Sequence, residues 1–212
     1  RFILNIKLLL KPGLIIVKDF FKYSLPVILN EALWGIGAML YPIILGHMSQ
    51  SAVILAAYTI AGNIERIFGI TVFATGGATA IIIGREIGAG RKDTVYSVGK
   101  TMIVLSMMLG FASGALLMFA RFTFLDKWIY PLFKLDQAAQ ATSTTMITIL
   151  AVVMLLRSLG VTLGIGVLRG GGDVRAVMFI DVGTLYFLAI PAAALSALVF
   201  GAPIAVVYSC IA

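Results

Sequence analysis

AVILAAYTIAGNIERIFGITVFATGGATAIIIGREI, residues 52–87, decides the fold class. From Ala52 to Gly84 its only charged residues are Glu65 and Arg66. A helix needs about 20 apolar residues to cross the roughly 30 Å hydrocarbon core of a bilayer. The piece before Glu65-Arg66 is too short to cross alone, so one long helix is expected. At about 1.5 Å per residue that helix exceeds the hydrocarbon thickness, so it must tilt, bend or project. Gly69 and Gly76-Gly77 are the expected bend points.

The same pattern extends in both directions. Spans are expected at about 20–47, 52–87, 94–120, 137–168 and 174–200, with a truncated sixth at 203–212 and a linking segment at 1–19. Asp93 and Asp173 are suited to cap the third and fifth spans, because a short carboxylate can accept from the first free backbone N–H groups of a helix. Polar residues Arg121 to Asp136 are expected at the membrane interface. The chain begins at Arg1 and stops at Ala212 inside an apolar run, and is expected to be a fragment.

Composition agrees. The 212 residues are 61% hydrophobic and 12% charged. A soluble domain runs about 45–50% apolar and about 25% charged. The fold class is therefore all-α, an integral membrane helical bundle. The net charge is +7, but the basic residues lie in short segments between apolar runs, which argues for membrane loops and against nucleic acid. On the N-terminal side fall Arg1, Lys7, Lys11, Lys18, Lys22, Arg85, Arg91, Lys92, Lys100, Arg169 and Arg175; on the opposite side fall Arg121, Lys127 and Lys134. That asymmetry puts the N-terminus in the cytoplasm of a multi-pass protein of the cell membrane.

The chemistry of enzymes is poorly supported. One Cys, Cys210, and one His, His47, offer no zinc cluster. There is no Gly-x-Ser-x-Gly elbow and no Walker lysine motif. No catalytic residue, cofactor or resident metal is expected.

Three segments stand out in order. They are Pro26-Val27-Ile28-Leu29-Asn30-Glu31 with Trp34; Gly84-Arg85-Glu86-Ile87-Gly88-Ala89-Gly90 after Ala56-Ala57-Tyr58; and Gly166-Val167-Leu168-Arg169-Gly170-Gly171-Gly172-Asp173-Val174-Arg175 with Asp181 and Pro191. Together they resemble the second half of a MATE (multidrug and toxic compound extrusion) transporter. The resemblance implies a C-terminal six-helix lobe that partners an N-terminal six-helix lobe of the same protein in the lipid bilayer. It implies efflux of small organic cations or amphipathic drugs in exchange for H⁺ or Na⁺. A flippase for a lipid or lipid-linked saccharide is the alternative within the superfamily; its cavity should be markedly basic, whereas here Glu31 and Glu65 face Arg66 and Arg157.

An ionised residue inside a membrane is costly and marks a functional site by default. Glu31 lies about 13 Å beyond Lys22 on helical rise and is the expected ion-coupling or substrate carboxylate. Glu65 and Arg66 are adjacent and point about 100° apart, so each needs a partner on another helix. A Glu65–Arg157 pair is the simplest solution, with ion coupling at Glu65 as the second role. Asp181 is expected to accept from Arg175 or to line an inner vestibule. Asn30, Trp34, Tyr58 and Asn63 are candidate cavity residues, although packing or interface anchoring is the plainer role for the aromatic rings. Arg169, Gly170, Gly171, Gly172 and Asp173 form the cytoplasmic turn. Three small-residue faces, Gly84-xxx-Gly88, Gly160-xxx-Gly164 and Gly166-xxx-Gly170, are expected to let helices approach closely.

Overall fold

The computed structural model describes residues 13–133 and 135–212. Arg1, Lys7, Lys11 and Lys134 of the charge count, and most of the linking segment, lie outside the described residues. Helix α1 is Leu14–Gly46 and α2 is Ser51–Gly88. Helix α3 is Lys92–Ala120. It runs on through a π-helical stretch, Arg121–Ile129, and a last turn, Tyr130–Leu132. Helix α4 is Gln137–Val161, continued by π-helical Thr162–Arg169. Helix α5 starts as Val174–Thr184 and continues through Leu185–Ala189, Ile190–Ala194 and Leu195–Val199. Helix α6 is Ile204–Ile211.

Five of these helices are long and apolar enough to cross a membrane. Nearly all the described chain is helical, as a bilayer requires: every backbone polar group must find its partner within the protein. Pro191 follows the π-helical turn Leu185–Ala189. Widening the turn ahead of a proline, which has no N–H to donate, re-routes the local hydrogen bonds.

Helices α2, α3 and α4 pack against one another most extensively, while α1 lies on α5 and α6 touches α4 and α5. The shared core includes Leu45, Leu117, Met146, Ile147 and Met154, all fully excluded from solvent. Lipid tails are as apolar as leucine, so close backbone approach supplies much of the attraction between such helices. The structure shows where that approach occurs. A Cβ added at Gly166 would lie 2.8 Å from Thr79 Cβ, and one at Gly170 would lie 2.7 Å from Ala80 Cα. One face expected from the sequence, Gly166 with Gly170, thus forms the α4–α2 contact. The others do not: Gly88 and Gly160 have open space beside them, and Gly84 and Gly164 make only ordinary contacts. A face absent from the sequence reading joins α3 to α4, where a Cβ on Gly114 would lie 2.5 Å from Ala151 O. Small-residue spacing says that a close face is possible; helix rotation decides whether anything approaches it.

The two glycine turns at one end of the bundle share one geometry. Gly172 has φ +93° and Gly90 has φ +74°. The Asp173 N–H donates to Leu168 O and the Gly172 N–H to Arg169 O, both at 3.0 Å. The Arg91 N–H donates to Glu86 O and the Gly90 N–H to Ile87 O, again at 3.0 Å. These are helix-closing Schellman turns, which need a left-handed residue that glycine adopts without strain. Asp173 then starts α5 by accepting from the Ala176 N–H at 3.1 Å, as its capping role requires. Asp93 does not cap α3. That helix starts two residues earlier than expected, at Lys92, with Asp93 in its first turn. The reason is Arg91, which takes the cap position while held by Glu86 through two 2.7 Å hydrogen bonds.

Candidate functional site

Four of the sequence candidates meet where α1, α4 and α5 converge. Helix α1 supplies Asn30 and Glu31, the last turn of α4 supplies Arg169, and α5 supplies Asp181. Arg169 Nη1 donates to Glu31 Oε1 at 2.8 Å. Its Nη2 lies 3.9 Å from Asp181 Oδ2. Asn30 Nδ2 donates to the same Asp181 oxygen at 3.3 Å. Arg169 is well covered, whereas Glu31 and Asp181 are open, with side chains 57% and 42% exposed. Asn30 is 3% exposed, and its Oδ1 is buried with no hydrogen-bond partner.

This arrangement corrects one expectation. The cation beside Asp181 is Arg169, at the end of α4 next to the glycine turn. Arg175, the expected partner, sits in the first turn of α5 and forms no salt bridge among the described residues. A helix turn separates Asp181 from the level of Arg175 by more than one repeat, while the end of α4 delivers Arg169 sideways onto it. Arg169 reaches the two carboxylates, Gly170 admits the backbone of α2, Gly172 turns the chain, and Asp173 starts the next helix.

A second charged pair lies deeper in the bundle. Arg157 Nη2 of α4 meets Glu65 Oε1 of α2 at 2.5 Å. Both side chains are mostly covered, at 23% and 26% exposed. The structure thus brings together the pair expected from adjacency and depth. Tyr58 stands one face around α2 and meets Tyr208 of α6 edge to face, with ring centroids 6.4 Å apart. Tyr208, 2% exposed, was missed by sequence reading. It falls in the short last helix, where one tyrosine carried no signal.

The remaining candidates are dispersed. Trp34 is 50% exposed on α1. Asn63 and Arg66 are exposed on α2, away from the Glu65–Arg157 pair. Tyr186 was also missed: its hydroxyl donates to Leu33 O at 2.9 Å and ties α5 to α1 two residues past Glu31.

Chemically, the α1–α4–α5 cluster holds two carboxylates and one guanidinium, leaving one negative charge in excess. A neighbouring cation stabilises an ionised carboxylate and a second carboxylate destabilises it. A buried free amide oxygen beside them is an acceptor for a protonated carboxyl or an oxygen ligand for a small cation.

Comparison with known proteins fits this architecture. Over 192 residues the chain is 26% identical to multidrug resistance protein MdtK of Pectobacterium atrosepticum, covering 89% of this chain and 39% of that protein. Its fold matches a solved multidrug resistance MATE family transporter of the MOP superfamily, in an outward-facing conformation. That match has a TM-score of 0.70 and 21% identity, over 92% of this chain and 41% of the other. The chain therefore spans about two fifths of the length of the proteins it matches. The MatE family model matches residues 26–195, from the proline before Asn30-Glu31 to beyond Asp181, and the chain belongs to the MatE family.

Proposed function

We propose that this chain is one six-helix lobe of a secondary active efflux transporter in the cell membrane. It exchanges organic cations or amphipathic drugs for H⁺ or Na⁺, with a second six-helix lobe of the same protein completing the path. Its N-terminal side faces the cytoplasm. The family membership supports transport. The observation that carries ion coupling is the excess carboxylate at the α1–α4–α5 junction, where Glu31 and Asp181 share Arg169 beside the free Oδ1 of Asn30.

Coupling follows from charge balance. With both carboxylates ionised, Arg169 neutralises one, and the other attracts a cation. A proton on Glu31 or a Na⁺ held by Glu31, Asp181 and the Asn30 oxygen removes that charge. Either event weakens the Glu31–Arg169 attraction and frees α1 to shift against α4 and α5. Glu31 is the preferred coupling residue because its side chain is the most open of the three. The Glu65–Arg157 pair, which is balanced and mostly covered, is assigned to holding α2 on α4. The interior charges are mixed in sign, and this favours drug efflux over a flippase, whose cavity must hold phosphates.

The test is ethidium efflux from cells expressing the full-length protein, wild type beside Glu31→Gln at matched expression. Extrusion by the wild type and its loss in the variant are expected. Extrusion by both moves coupling away from Glu31, and no extrusion by the wild type counts against the multidrug reading. Repeating the assay in vesicles with an imposed proton or sodium gradient separates the two ions.

A further inference from the structure

Arg66 is the intramembrane cation that neither ion pair uses. Among the described residues it forms no salt bridge and no side-chain hydrogen bond. It stands 15 residues into α2 from Ser51, about 22 Å at 1.5 Å per residue. Long basic side chains escape to the membrane surface only near helix ends. Glu65 does not help, since it points about 100° away around the helix and is committed to Arg157.

Arg66 is not isolated on its face. Thr59, Asn63 and Arg66 follow at spacings of four and three, which aligns them on one side of α2, and all three are exposed. The Thr59 hydroxyl is spent on Leu55 O at 2.8 Å. The Asn63 amide and the Arg66 guanidinium have no side-chain partners among the described residues. The opposite side of α2, with Ile64 and Val72, packs into the core. Ile67 and Ile70 are exposed on the same side, so this face is mixed, but an open amide and an unmatched guanidinium within it are costly against lipid tails. The chain spans about two fifths of the proteins it matches, so much of a full-length protein lies beyond this lobe and can enclose the stripe.

We infer that this face of α2 lines the transport path, and that Asn63 and Arg66 form a subsite for the carboxylate of a transported amphiphile. The inference rests on the efflux reading and sharpens its substrate class. Molecules that carry a carboxylate on an aromatic, otherwise cationic body are substrates, because the guanidinium offers a planar fork of donors that matches a carboxylate in two places. Asn63, one turn away, adds an amide donor.

A matched pair of dyes tests it. Rhodamine 110 carries a free carboxylate, and rhodamine 123 is its methyl ester. Binding of each to the purified full-length protein is followed by fluorescence anisotropy for the wild type, Arg66→Gln and Asn63→Ala. Expected is a loss of about tenfold or more in rhodamine 110 affinity for Arg66→Gln, corresponding to one lost charge-assisted contact. A smaller loss is expected for Asn63→Ala, and rhodamine 123 should change by less than about twofold. Equal loss of both dyes overturns the subsite and assigns Arg66 to a structural contact with another part of the protein. No change with either dye, or a wild type that does not bind rhodamine 110, also overturns it. Export of rhodamine 123 from cells is scored separately: its absence in the wild type refutes the efflux reading, while the binding comparison still judges the subsite.

Discussion

Removing the Glu65–Arg157 pair one charge at a time gives the sharpest test of how α2 is held to α4. The groups meet at 2.5 Å, with both side chains about three-quarters covered. Unit charges about 4 Å apart at an effective dielectric of about 20 attract by about 4 kcal/mol. Partial exposure screens some of this, and about 3 kcal/mol is retained. Glu65→Gln alone and Arg157→Gln alone each abolish the attraction and should each cost the about 3 kcal/mol that it retains. The double variant removes both charges and keeps amides that can hydrogen-bond to each other. It should also cost about 3 kcal/mol, half the additive expectation, which makes the coupling about 3 kcal/mol. Reversible denaturation of the full-length protein by SDS in mixed micelles measures all four corners of the cycle. Independent sites add to within about 0.5 kcal/mol. Additivity at that level would refute the reasoning, because the two charges would then not be paired in the intact protein.

Three further outcomes follow from the geometry. Gly170→Val should destabilise by about 1–3 kcal/mol or more in the same denaturation assay, because its Cβ would stand 2.7 Å from Ala80 Cα and backbone cannot move aside cheaply; Gly160→Ala, with open space beside it, should be neutral or gain up to about 1 kcal/mol from better helix propensity. Asp173→Ala should cost about 1 kcal/mol through loss of the cap on Ala176 N–H, and Asp173→Asn should restore most of it; equal stability of all three would show that the cap contributes nothing. Asp181→Asn leaves Glu31 and Arg169 matched one to one, so dye efflux should lose most of its dependence on the coupling cation in vesicles. An unchanged dependence would remove Asp181 from the coupling site.

The sequence reading reached some interactions and missed others for physical reasons. It reached Glu65–Arg157 because two adjacent, oppositely charged residues on one long apolar helix cannot serve each other, and only one other core cation was present. It missed Arg169 as the partner of Glu31 and Asp181, because a cation beside a glycine turn looks like an ordinary loop charge. The 138 residues that separate Glu31 from Arg169 leave no local trace of their contact. Asp93 looks like a cap because nothing local signals the Glu86–Arg91 clasp, which places the cap two residues earlier, at Arg91. The α3 face of Gly110 and Gly114, where added Cβ atoms would run into Ser158 and Ala151 of α4, carries the same spacing as Gly84–Gly88, and the spacing alone does not tell the two apart.

The sequence by itself determined that this is a membrane bundle, that five of its helices are long and apolar enough to span, and which family the motifs resemble. Those properties are set by the length of apolar runs and by the positions of glycine, proline and charged residues between them, all of which act within a few residues along the chain. Only the tertiary structure decided which carboxylate shares which guanidinium, which glycine faces are used and which polar residues stay open. Pairing depends on the rotation and depth of each helix against its neighbours. Core packing fixes those coordinates, and they left Arg169 between two acids and Arg66 facing outward with no salt bridge among the described residues.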